Sequence, residues 1–228
     1  MWTLALACVF FLGIHLLISG TLLRERLLGA IGGPAYYMAF SILSLVGLIA
    51  ISVAFTFALS DPMNIVLWQS GPFLRIVGQI GNFFAFFLLV CGLTMLSPTN
   101  LLALKHMPDK PVHGIIRVSR HPVLAGIGLW ALTHIITNGN LAGWMFFGTL
   151  LALCGLGANL IDVKRKRLMG DSYSAVLRQT SILPFVAIIE GRTAFAPAEI
   201  GLVRFMLSVS MFSVFMMLHE ILFTVRAI

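Results

Sequence analysis

Long apolar runs broken by short polar segments set the first expectation for this chain. Residues 2–23, 35–59, 73–96, 123–137, 141–161 and 201–223 are each apolar over most of their length, on the scale of the ~20-residue helices that cross a bilayer. The fourth stretch is short, about fifteen residues, so it either borrows 115–119 at its start or has its ends shielded by the rest of the protein. The pattern therefore predicts an all-α polytopic membrane protein, a single domain over residues 1–228 with about six transmembrane helices. Two polar connections are long enough to hold short interfacial helices. In residues 97–120, Pro98-Thr99-Asn100 can cap a helix through Leu104, ahead of a turn at Pro108-Asp109-Lys110-Pro111. In the second connection, Asp171 can cap a helix through Arg178 with Tyr173, Val176 and Leu177 on one face. Residues 181–189 follow, too short and too proline-broken to span.

Composition secures the membrane setting. Hydrophobic residues make up 59% of the 228 residues and charged ones 10%, and the mean hydropathy is +1.01, which excludes an ordinary soluble domain. Basic residues stay on the cytoplasmic side of multi-pass proteins. Arg24, Arg26, Lys105, Lys110, Arg117, Arg120, Lys164, Arg165, Lys166, Arg167, Arg178 and Arg192 all fall on one side, whereas the turns at 61–72 and 138–140 hold none. Both termini are therefore expected outside, in the inner (plasma) membrane if the source is bacterial. The net charge of +7 follows from this bias and from attraction to anionic lipid headgroups, and there is no basic stripe with interleaved aromatics that would point to nucleic acid. The first apolar stretch lacks the basic n-region of a cleavable signal and is too long for one. Cys8, Cys91 and Cys154 lie in three different spans with no C-x-x-C pattern, so they are expected as buried small residues, with neither zinc nor a disulfide. No repeat or low-complexity tract divides the chain.

Histidine is where chemistry enters. His106 and His113 fall in polar loops, but the spacing of basic residues and the ~1.5 Å helical rise put His15 roughly 13 Å into the membrane, and His134 and His219 roughly 20 Å. Ionisable side chains are expensive to bury there, and each is a functional expectation. Two neutral imidazoles across a helical bundle suit the axial positions of a haem iron; a single one serves equally well as a hydrogen bond between helices. A second candidate is Arg120-His121-Pro122, where proline suits a helix start. The free N–H groups there, with Arg120 and His121 alongside, can hold a carboxylate or phosphate at the cytoplasmic edge. Arg117 and the basic cluster from Lys164 to Arg167 read as positive-inside anchors, with Asp162 neutralising that cluster. The Phe83-to-Phe87 and Met211-to-Met217 runs read as packing or lipid-facing surface. No Ser, His and Asp are placed to form a triad.

Several motifs together resemble the NnrU family, relatives of plant 15-cis-zeta-carotene isomerase. They are Ser119-Arg120-His121-Pro122, Leu129-Trp130-Ala131-Leu132-Thr133-His134, Asn138-Gly139-Asn140, Gly170-Asp171-Ser172-Tyr173, Thr180-Ser181-Ile182-Leu183-Pro184-Phe185 and Glu190-Gly191-Arg192, with Gly13-Ile14-His15 and residues 29–37 at the front. The resemblance implies haem b, a link to nitric-oxide and denitrification metabolism, and redox-dependent cis-trans isomerisation of a polyene-like lipid. It assigns the iron to His134 and His15, with a cysteine that exchanges on reduction; this chain has Ala131 where that cysteine stands. By depth, His219 matches His134 better than His15 does, and it is the rival second ligand. The same Arg-His-Pro start and basic, Tyr-containing segment also resemble S-adenosylmethionine-dependent methyltransferases of the isoprenylcysteine and methanethiol type, in which Arg120 and His121 would take the cofactor's carboxylate. A third expectation is a non-enzymatic haem sensor or partner protein. Partners expected in any case are membrane lipid and a hydrophobic small molecule.

Overall fold

The computed structural model describes residues 1–18, 20–99 and 111–223. Each apolar stretch forms a helix: α1 (Trp2–Gly13) running on into a π-helical turn (Ile14–Ile18), α3 (Gly33–Leu59), α4 (Pro72–Thr94), α6 (Pro122–Asn138), α7 (Leu141–Met169) and α11 (Leu202–Phe223). Proline stands in the first turn of α3, α4 and α6, where its missing N–H costs nothing. Between them lie α2 (Leu23–Ile31), α5 (Ile115–Val118), α8 (Asp171–Gln179), α9 (Val186–Ile189) and α10 (Pro197–Ile200). The protein is thus an all-α polytopic membrane protein. Helices α3, α4, α7 and α11 are long and apolar enough to cross a bilayer, and α1 with α2 makes a fifth, bent candidate. Helix α6 has 17 residues, about 26 Å at helical rise, and occupies the place of the fourth expected span between α4 and α7.

Helix α7 runs on to Met169, past the expected end at 161, and two further boundaries differ from the expectation. The first span ends at Ile18, and α2, bearing Arg24, Glu25 and Arg26, turns away from it; its mixed polar sequence has no continuous apolar face to keep it in line. The second difference is at α8, whose N-cap is Gly170 at φ +56°, so Asp171 is its first helical residue and caps nothing with its side chain. Tyr173 and Val176 are its buried face, as expected. The proposed helix through Leu104, together with Lys105, His106 and Lys110, lies outside the described residues.

The closest helix pair is α4 with α6. Thr133 hydrogen-bonds Asn82 across it, and small residues let the backbones approach. A Cβ at Gly126 would sit 2.8 Å from the Ala85 carbonyl oxygen and 3.0 Å from the Leu89 nitrogen. Since backbone cannot swing aside, Gly126→Val is expected to cost about 3 kcal/mol, read as a lowered melting temperature in detergent. Gly155→Ala, at a position with open space around it, should be neutral or better. On the other side of α6, Ala131 and Ile135 join Leu4, Cys8, Phe11, Ile51 and Phe147 in one apolar cluster shared by α1, α3, α6 and α7. The Phe run of α4 meets α11 in an aromatic seam in which Phe83 and Phe86 lie 5.2–5.9 Å from Phe212 and Phe215. The three cysteines are buried and free.

At the end without basic loops, Gly139 caps α6 at φ +62°. Its carbonyl accepts the Leu67 and Trp68 amides at 2.7 and 3.1 Å, while the Trp68 indole donates to the Ile136 carbonyl at 2.8 Å. At the opposite end, Arg117 pairs with Glu199 of α10 at 2.8 Å, and Glu199 also accepts the Gly114 amide at 2.7 Å. The Arg117 guanidinium holds the Glu199 carboxyl down at about 2. A carboxyl depressed in the folded state stabilises above its unfolded value, ~4.3, and that contribution is lost as pH falls toward 2. The protection of the Gly114 amide against hydrogen exchange, taken relative to its intrinsic rate at each pH, is therefore expected to fall between about pH 4 and 2, and Glu199→Gln should abolish that change.

Candidate functional site

Arg120 and His121 sit where α6 begins at the basic end, but the anion they hold belongs to the protein. Asp162, one side chain in an otherwise apolar stretch of α7, lies about 32 Å along that helix from Leu141, at the hydrocarbon boundary. Its Oδ2 accepts Arg120 Nε at 2.7 Å and pairs with Nη2 at 2.7 Å. Its Oδ1 accepts His121 Nε2 at 2.8 Å and the Tyr173 hydroxyl at 2.6 Å. Asp162, His121 and Tyr173 are 7%, 3% and 0% exposed. A buried carboxylate needs this degree of compensation, supplied here by two guanidinium nitrogens on one oxygen and an imidazole and a phenol on the other.

The rest of the motif is equally engaged. Arg120 Nη1 donates to the Thr180 carbonyl at 3.1 Å, and the Arg120 amide to that of Ser181 at 3.0 Å. Ser119 Oγ donates to Ile182 at 2.7 Å and accepts the His121 amide at 3.2 Å, while the Phe185 amide reaches Val118 at 2.9 Å. The two motifs 119–122 and 180–185, separated in sequence, are thus one structural unit. Two expectations change accordingly. The amides of Arg120 and His121, just ahead of the α6 start, are already bonded, and Asp162 serves Arg120, His121 and Tyr173 rather than the basic cluster beside it in sequence. Tyr173 was expected only as part of an apolar face. Burial first, and then the bond to Asp162, push its hydroxyl well above the usual phenol range, so it remains a donor. The signal for Asp162 was available: a lone acid in an apolar helix requires a partner.

The membrane histidines occupy a different region. His15 lies in the π-helical turn, a local geometry frequent at functional sites. His15 Nδ1 is 2.8 Å from the Phe11 carbonyl and its ring lies 4.5 and 5.6 Å from those of Phe11 and Phe40. His134 repeats the arrangement on α6: Nδ1 is 2.8 Å from the Trp130 carbonyl, and the rings of Trp130 and Phe147 are each 4.7 Å away. A backbone carbonyl accepts only from a protonated Nδ1, so in both residues the lone pair resides on Nε2. Neither Nε2 has a hydrogen-bond partner among the described residues. Phe11, Phe147 and Ala131 belong to the same apolar cluster, which the two imidazoles therefore border from different helices. His219, on α11 beside Phe215, lies within electrostatic reach of His134. No group of three or more His, Cys, Asp or Glu able to hold a bare metal ion occurs among the described residues.

Fold and site together define a multi-pass helical membrane protein with a buried carboxylate clamp at its basic edge and half-buried imidazoles set among aromatics along its apolar helices. The sequence profile described as "NnrU protein" matches residues 3–227, and the chain belongs to the NnrU family. It is 29% identical over 166 residues to the chloroplastic 15-cis-zeta-carotene isomerase of Arabidopsis thaliana, covering 71% of this chain and 44% of that protein. It is 31% identical over 100 residues to the Zea mays protein of the same name, covering 42% of this chain and 27% of the relative. The alignments thus span less than half the length of these relatives. No solved structure matches the chain.

Proposed function

We propose that this chain is a membrane isomerase acting on a polyene-like lipid, with haem b held through His134 and His15. The observation that carries the reading is the paired imidazole geometry. A ligating histidine ordinarily donates its other ring N–H to a carbonyl or carboxylate, which fixes the tautomer and aims the free nitrogen; His15 and His134 both have Nδ1 placed for this, each at 2.8 Å from the carbonyl four residues earlier. The donor set suits iron, and the aromatic walls suit a porphyrin. When bound, haem would supply a redox-tunable iron in these apolar surroundings. The chain's own part is to hold the imidazoles in one tautomer and to keep water out with Phe11, Phe40, Trp130 and Phe147. Ala131, fully buried against α1, α3 and α7, offers no sulfur at the place where the resemblance expects a ligand that exchanges.

His219, matched to His134 by its expected depth along the chain, is the alternative second ligand. The methyltransferase reading gains no such support, because a cofactor carboxylate would have to displace Asp162 from Arg120 and His121.

The test is a visible spectrum of the detergent-purified protein, oxidised and dithionite-reduced, followed by incubation with a cis-polyene in both states and chromatographic separation of isomers. A low-spin b-type spectrum with isomerisation is the expected result. Haem without turnover would favour a sensor, and the absence of a Soret band after haem-supplemented expression would remove the proposal.

A further inference from the structure

A second polar locus lies at the basic end, two residues past Asp162 on α7 but on another face of that helix, where the start of α2 comes alongside. Two contacts bracket it: a Cβ at Gly20 would lie 2.6 Å from Leu160, and Glu25 pairs with Arg167. Leu160, Lys164 and Arg167 share one face of α7, so these two contacts set Lys164 on the side of α7 that faces the segment bearing Arg24. Lys164 senses the like charges of Arg24 and Arg165, offset in part by Glu25, and that one acid is already engaged by Arg167. Neither Arg24 nor Lys164 forms an ion pair among the described residues. Like charges gathered in this way repel unless an anion sits among them.

Tyr36 supplies the independent observation. It is 4% exposed, and its hydroxyl is buried with no hydrogen-bond partner, a costly state for a polar group unless a ligand satisfies it. The Arg24 guanidinium lies 5.8 Å from the Tyr36 ring centroid and 6.0 Å from that of Tyr37. One of its nitrogens donates to the Tyr37 hydroxyl at 3.1 Å, so the side chain is steered toward the aromatic pair. Lys164 lies about 35 Å along α7 from Leu141, just past the ~30 Å hydrocarbon layer, at headgroup level.

We propose that Arg24, Lys164 and the Tyr36 hydroxyl form a binding site for the phosphate of an anionic phospholipid in the basic-side leaflet. The guanidinium and ammonium supply charge-assisted donors, the phenol a third, neutral one. The hydrocarbon tails run along the exposed apolar surface of α3, where Met38, Ile42 and Leu45 face outward.

The experiment is native mass spectrometry of the delipidated full chain in detergent. Phosphatidylglycerol and phosphatidylcholine with the same acyl chains serve as probes, and inorganic phosphate as competitor. Phosphatidylglycerol is expected to be retained in preference, since a choline cation is repelled by the same charges. Removing two basic contacts in Arg24→Gln/Lys164→Gln should weaken it about thirty-fold. Tyr36→Phe, which deletes only the orphan hydroxyl, should weaken it several-fold, and Arg26→Gln should change nothing. Displacement of the lipid by millimolar phosphate would support the same anion chemistry with free phosphate as its source. Equal retention in the folded wild type, the double variant and Tyr36→Phe would overturn the proposal.

Discussion

Asp162→Ala is expected to lower stability by about 3–5 kcal/mol, the characteristic cost of removing one partner from a buried charge assembly. The loss does not arise from the few apolar contacts of an aspartate. It arises because the Arg120 guanidinium, His121 Nε2 and the Tyr173 hydroxyl are each left with an unsatisfied donor in a dry place. Asp162→Asn, which keeps the shape but not the charge, should fall between Ala and wild type. In combination with Arg120→Met the penalty should be less than the sum of the two single changes, because the orphaned charge is gone. The exposed Arg167–Glu25 pair, 58% and 51% accessible, is the internal contrast: Glu25→Ala should cost under about 1 kcal/mol. Thermal denaturation in detergent, followed by circular dichroism, measures all four. An Asp162→Ala protein as stable as wild type would mean that the clamp does not hold the basic end together.

His134→Ala is expected to abolish haem content altogether while leaving the protein inserted and helical, since the vacated space is bordered by Trp130 and Phe147, which can relax into it. The companion variants identify the second ligand. If His15 is the partner, His15→Ala should convert a low-spin spectrum to a high-spin, five-coordinate one and His219→Ala should leave it low-spin; if His219 is the partner, the two outcomes exchange. A full complement of haem in His134→Ala would sink the ligand assignment whichever partner is considered.

Much of this architecture was readable before any coordinates. Apolar runs place α3, α4 and α11 to within two residues and the start of α7 at Leu141, and Pro122 marks the first turn of α6, because length, hydropathy and helix-start chemistry are local properties. What escaped was tertiary. Arg120-His121 was recognised as a pair that wants an anion, yet a carboxylate 42 residues away cannot be matched to it by any helical period. Tyr173 was placed on the correct face of α8, but its hydroxyl partner depends on how α8 folds back under α7. The first span was carried to residue 23 because Leu22 and Leu23 extend the apolar run, whereas the helix ends at Ile18 and the chain passes Leu160 at Gly20, where a Cβ would not fit. The histidines were found from depth alone; that their Nδ1 atoms are anchored to carbonyls could come only from rotamers.

The clamp also has a consequence for biosynthesis. When α6 leaves the ribosome, Arg120 and His121 have no counter-charge, for Asp162 has yet to be made. A bare guanidinium resists translocation, so during synthesis the motif acts as a brake that keeps the start of α6 on the basic side. Once α7 arrives, the same residue becomes a latch: orientation is decided first and neutralised afterwards, by a carboxylate that enters the membrane boundary only with the following helix.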